Sequence, residues 1–133
     1  MNKDNLRKMA EYIRTIPENL FDMQIFRAPG NYKEVECNSV GCVIGHCTHL
    51  DADNVLRNYT RFHDDSIRFH KWAEDFTEMG MYSASFQWCF DSEWADVDNT
   101  PEGAARRIEW LIDKGLPKNW QSQMEGKASL CYY

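Results

Sequence analysis

The chain has 133 residues, enough for one domain with a sizeable core. Its 15 Lys and Arg stand against 21 Asp and Glu, a net charge of −6. Nucleic-acid binding is disfavoured on that balance, because a phosphate backbone asks for a basic face. The acidity is spread along the chain and reads as solubility. Residues 1–5 (Met-Asn-Lys-Asp-Asn) lack the apolar core of a secretory signal, and no apolar run approaches the roughly 18 residues of a membrane span. A cytoplasmic protein is expected, whose five cysteines stay as free thiols.

Leu6, Met9, Ala10 and Ile13 recur at i, i+3, i+4 and i+7 and predict a first helix, capped by Asn2 or Asp4 and limited by Pro17. A short turn from Pro17 to Met23 follows, with Leu20, Phe21 and Met23 set for burial. Residues 27–37 are polar, contain Pro29-Gly30 and read as a loop. A compact helix is expected from Asn38 or Ser39 to about Leu50, and a short one over 53–59. Asp64 or Asp65 caps a helix over 65–78 that ends at Gly80, with Phe69, Trp72, Ala73 and Phe76 on one face. Ser83 opens another, whose face is Phe86, Cys89 and Phe90.

Residues 91–99 form an acidic loop. Counted from Asp91 it places Glu93 and Glu102 as a calcium loop would, but the glycine such a loop needs at its sixth position is Asp96. The last long helix carries the clearest signals. Thr100 is its N-cap, Pro101 its first residue, Glu102 faces the positive end of the dipole, and Gly115 with Pro117 closes it. The fold expected is all-α: one compact domain of five or six short helices over 1–120, then a tail over 121–133 that is loose or docked.

The densest chemical cluster is Cys37, Cys42, His46, Cys47 and His49. On a helix Cys42, His46 and His49 project from one side, and Cys37 could reach back to complete a zinc site. No Cys-x2-Cys pair supports it, and buried cysteine is commonly inert. Zinc is the only cofactor these residues suggest. Cys42 with His46 as base is the enzymatic version, but no oxyanion donor can be assigned to it, and no catalytic residue is named.

Trp88, Trp94 and Trp120 fall off the helical stripes or in loops. With the acidic Asp96 and Asp98 they are the expected contacts for a protein partner, since exposed Trp is enriched in binding hot spots. A nucleotide-like ligand would instead need cations, and Arg57, Arg61, Arg106 and Arg107 are the candidates.

Two sets of residues carry a resemblance. One is Asn5-Leu6-Arg7-Lys8-Met9-Ala10-Glu11-Tyr12 with Cys37-x4-Cys42-Val43-Ile44-Gly45-His46. The other is Phe69-x2-Trp72 with Asp98-Asn99-Thr100-Pro101-Glu102-Gly103-Ala104-Ala105. Together they resemble a family of small helical proteins encoded by phages and prophages, over most of residues 5–120. That resemblance transfers no activity. It implies a context, in which such a protein binds and modulates a host protein, for instance one of a defence pathway, or sequesters a small signalling molecule in the bacterial cytoplasm.

Overall fold

The computed structural model describes residues 1–25, 42–59 and 65–133. They form an all-α domain with no strand among the described residues. Five helices have seven residues or more: α1 (Lys3–Ile13), α3 (Ala52–Asn58), α4 (Asp65–Thr77), α5 (Ala84–Phe90) and α6 (Pro101–Lys114). Two single-turn helices, α2 (Val43–Cys47) and α7 (Trp120–Met124), and three short 3-10 segments complete the set. No helix among the described residues is long and apolar enough to cross a membrane.

Local chemistry accounts for the starts and stops. The Asn2 side chain accepts from the amide of Asn5 at 3.0 Å and opens α1. Ser83 caps α5 through the amide of Phe86, and Thr100 caps α6 through that of Gly103. Gly115 ends α6 at φ +81°, a backbone region costly for side chains other than glycine. Of the two caps expected for α4, Asp64 lies outside the described residues and Asp65 is the first residue of the helix. The loop 27–37 and the expected start of the second helix at Asn38 or Ser39 also lie outside them; α2 is opened by Cys42, whose Sγ accepts from the amide of Gly45.

Helices α1 and α6 form the main pairing of the domain. Leu6, Met9, Ala10 and Ile13 on one side and Ala104, Ala105, Ile108 and Leu111 on the other are all buried, so both amphipathic stripes are spent there. The short side chains Ala10, Ala104 and Ala105 allow close approach. Outside this seam, Arg14 is bidentate to Glu109 and also bonds Glu102, tying the end of α1 to α6. Helices α2 and α4 pack on α1, and Phe69, Trp72 and Ala73 of α4 enter the same core.

The acidic loop is more ordered than its composition suggests. Ser92–Asp96 form a 3-10 turn capped by Asp91, whose Oδ1 accepts from the amide of Glu93 at 2.8 Å. Residues 121–133 dock on the core through Gln123, Met124 and Tyr132, which are buried, and Gln123 Oε1 accepts from the amide of Cys131.

Candidate binding cleft

Two sites concentrate polar chemistry. The first is closed. Arg107 of α6 is 0% exposed, and its Nη1 donates to the hydroxyl of Tyr132 at 2.9 Å and to the carbonyl of Asp98 at 3.3 Å. The Asp98 carboxylate stands 3.4 Å from the same nitrogen and accepts from the Tyr132 hydroxyl at 2.9 Å and the Thr100 hydroxyl at 2.7 Å. Among the described residues Arg107 Nε and Nη2 have no hydrogen-bond acceptor. The guanidinium instead lies over the Trp94 ring, 4.2 Å from its centroid, where the π face offsets part of the lost hydration. Trp88 and Trp94 meet edge to face, and each indole N–H is satisfied: Trp88 by the carbonyl of Arg107, Trp94 by that of Trp88. Burial pushes the Tyr132 hydroxyl well above the ordinary tyrosine range, so it stays a donor.

This arrangement corrects several expectations. Trp88 and Trp94 are fully buried and Asp98 is nearly so, so none of the three is a surface contact for a partner. Arg107 is spent on Asp98 and Tyr132 and cannot serve as a phosphate cation. The physical reason is shared: the chain beyond Met124 returns over the off-stripe face of α5 and α6 and supplies the Tyr132 ring that covers both indoles. Of the expected partner contacts, Trp120 is partly buried and Asp96 is exposed. Arg106 bonds Glu102 and the carbonyl of Tyr132, Arg57 is exposed on α3, and Arg61 lies outside the described residues.

The Cys/His cluster also disperses. Cys42 and Cys47 are buried, the former as the cap of α2 and the latter with its thiol toward the carbonyl of Met9. His46 Nε2 donates to the carbonyl of Leu20 at 2.6 Å, and the His49 ring lies against Tyr12. No group of three His, Cys, Asp or Glu able to hold a metal occurs among the described residues, and Cys37 falls outside them. Burial pushes the Cys42 thiol up to about 11 and the Cys47 thiol also upward, so both are protonated at neutral pH.

The second site is open. A cleft of about 320 Å³ lies between the chain at Met23–Gln24, His70 of α4 and one side of α5 with the residues that follow it. Its apolar walls are Met23, Cys42, Met81, Phe86 and Phe90; its polar groups are Gln24, His70, Gln87, Asp91 and Ser92. The Phe86 and Phe90 rings stack edge to face at 4.8 Å, and His70 lies 5.8 Å from Phe86. At about 30 Å³ per water, the space corresponds to roughly ten waters. The sequence assigned Phe86 and Phe90 to the core and Asp91 to the acidic loop, and it did not single out Gln87. The available signal was the i, i+4 spacing of Gln87 and Asp91 at the end of α5, which aligns both on one side.

A second, shallower depression of about 310 Å³ is lined by Arg14, Arg106, Glu109, Trp110, Asp113, Lys114 and Tyr132. Its charges are largely matched internally. Arg14 pairs with Glu102 and Glu109, Arg106 with Glu102, and Lys114 lies over the Trp110 ring.

No protein-family model, no curated protein and no solved structure matches this chain.

Proposed function

We propose that this chain acts by binding, without catalysis, and that the cleft beside α5 is its working site for a small molecule. The observation that carries this reading is the cleft itself. It reaches the size range of small-ligand sites and joins aromatic and thioether walls to a few convergent polar groups. Four of its lining residues are fixed by the core they also belong to: Met23, Cys42, Phe86 and Phe90 are 5% exposed or less. A wall held in that way binds with little ordering cost.

Catalysis finds less support. Cys42, the one nucleophilic side chain at the cleft with a histidine near it in sequence, is held as the thiol by its burial. The Nε2 of His46 is engaged as a donor to Leu20 and is not positioned as a base. A phosphate-bearing signal is also a poor match, since no Lys or Arg is among the described residues that line the cleft. The phage-type resemblance suggests the setting, sequestration of a host-derived small molecule, while the protein-partner alternative retains only Trp120 and Asp96 of its contacts.

A fragment screen by two-dimensional NMR tests the reading. Hits are expected to converge on the resonances of Met23, Phe86, Gln87 and Phe90. Hits scattered over α1, α3 and α6, or none at millimolar fragment concentrations, overturn it.

A further inference from the structure

Gln24, His70 and Ser92 bring donors to the cleft lining, but its corner at the end of α5 offers acceptors. Asp91 uses Oδ1 to cap the 3-10 turn through Glu93, and among the described residues its Oδ2 receives no donor. Gln87 donates its Nε2 to the carbonyl of Tyr82 at 3.3 Å, which leaves the amide oxygen Oε1 without a donor among the described residues. These two acceptors stand four residues apart at the end of α5, next to the Phe86–Phe90 wall. Among the described lining residues, the only group with a fixed charge is the Asp91 carboxylate. A second carboxylate, Asp22, lies close enough to help raise the Cys42 thiol.

An anion entering this cleft would meet repulsion and two surplus acceptors. A neutral ring would bury its faces but leave Asp91 to water. A cation carrying N–H donors satisfies both acceptors, gains the charge-assisted bond to Asp91, and can lie against the faces of Phe86 and Phe90. We infer that the cleft selects an organic cation, an ammonium or amidinium group on an apolar body, with Asp91 and Gln87 as the recognition pair. The inference rests on the cleft being the binding site. The same chemistry is offered by a free amine or amidine and by a Lys or Arg side chain of another protein.

The test uses the full chain and an isosteric series: benzamidine, benzamide and benzoate, titrated by NMR. Benzamidine is expected to bind roughly tenfold tighter than benzamide, with benzoate weakest, as one charge-assisted hydrogen bond supplies. In Asp91→Asn, which keeps the Oδ1 that caps the turn, the preference should fall below about twofold. Equal affinities for benzamidine and benzamide overturn the charge selectivity while leaving the cleft as a site. Failure of all three to bind removes the cleft reading as well. A preference that survives in Asp91→Asn refutes the assigned pair. A parallel titration with arginine blocked at both ends separates the sources. Tighter binding than benzamidine indicates a protein side chain, and weaker binding a free small molecule; either agrees with the inference.

Discussion

The Arg107 box and the α5 cleft sit on opposite sides of the same short helix and treat polar groups in opposite ways. In the box, Arg107 Nη1, Asp98, Tyr132 and Thr100 bond one another, the rest of the guanidinium lies against the Trp94 ring, and two indoles and a phenol seal the group from water. In the cleft, Asp91 and Gln87 each spend one atom on the local backbone and leave the other without a donor among the described residues, in the lining of an open, half-apolar space. A buried charge without its partner costs several kcal/mol, so the box is held to a single geometry. A half-exposed acceptor costs little to leave unmade, so the cleft rim is free to be selected for a ligand. On the proposed reading of the cleft, stability and recognition are separated across α5, and substitutions on its two sides should behave differently.

The largest expected effect is in the box. Arg107→Ala leaves the Asp98 carboxylate buried without its cation and strips the Trp94 face, which should cost about 3–5 kcal/mol. For a domain of this size the melting temperature falls by roughly 10–18 °C. Urea unfolding of the variant measures it, and a loss under about 1 kcal/mol would mean that the box is not a stability element.

Gly103→Ala comes next. A Cβ at Gly103 would stand 2.0 Å from Asp98 Oδ2, so the carboxylate must move away from Tyr132 and Thr100. Overpacking of this kind costs about 1–3 kcal/mol, although alanine is the better helix former. A variant as stable as the parent would show that Asp98 has a second acceptable position, and the contrast with the cleft would weaken.

These residues also mark what could be read in the sequence. Thr100, Pro101 and Gly115 announce α6 by local chemistry, and the stripes of α1 and α6 show which faces meet. Those signals operate within one turn of helix and survive any tertiary arrangement. Trp88 and Trp94 were misleading because a helical stripe reports only one buried face. Their cover is Tyr132, more than thirty residues further on, and no local pattern encodes that return. Arg107, next to Arg106 in α6, read as a cation for a ligand, and its partner Asp98 lay in a loop that read as solvated. The cleft was the least legible part. It is assembled from Met23, His70, Met81 and α5, segments that are adjacent only in space.

An intermediate case lies on the α1–α6 surface. Hydrogen bonds from Arg14, aided by Arg106, hold the Glu102 carboxyl below the usual carboxylate range. A carboxyl depressed in the folded state stabilises above its unfolded value, about 4.3, and that stabilisation is lost as pH falls through the folded value. The side chains remain about a third to a half exposed, so screening keeps the effect under about 1 kcal/mol. Unfolding free energies at about pH 6 and pH 3.5, for the parent and Glu102→Gln, should converge at the lower pH. A gap that persists there would place the Glu102 contribution in packing instead of charge.

The smallest stability effect is expected at the cleft, and it is the sharpest test of the separation. Asp91→Asn retains an oxygen at the Oδ1 position, so the amide of Glu93 keeps its acceptor and the 3-10 turn its cap. The charge removed faces open space and the side chain is partly exposed, so the unfolding free energy should change by no more than about 0.5 kcal/mol. The larger amide donor meets the neighbouring Gln87 oxygen or water at no cost. If Asp91→Asn instead destabilises by about 2 kcal/mol, its carboxylate is a structural group like Asp98, and α5 does not divide a stabilising side from a recognising one. If stability holds while the preference for benzamidine disappears, the acceptor pair is confirmed as a feature the fold does not need for itself.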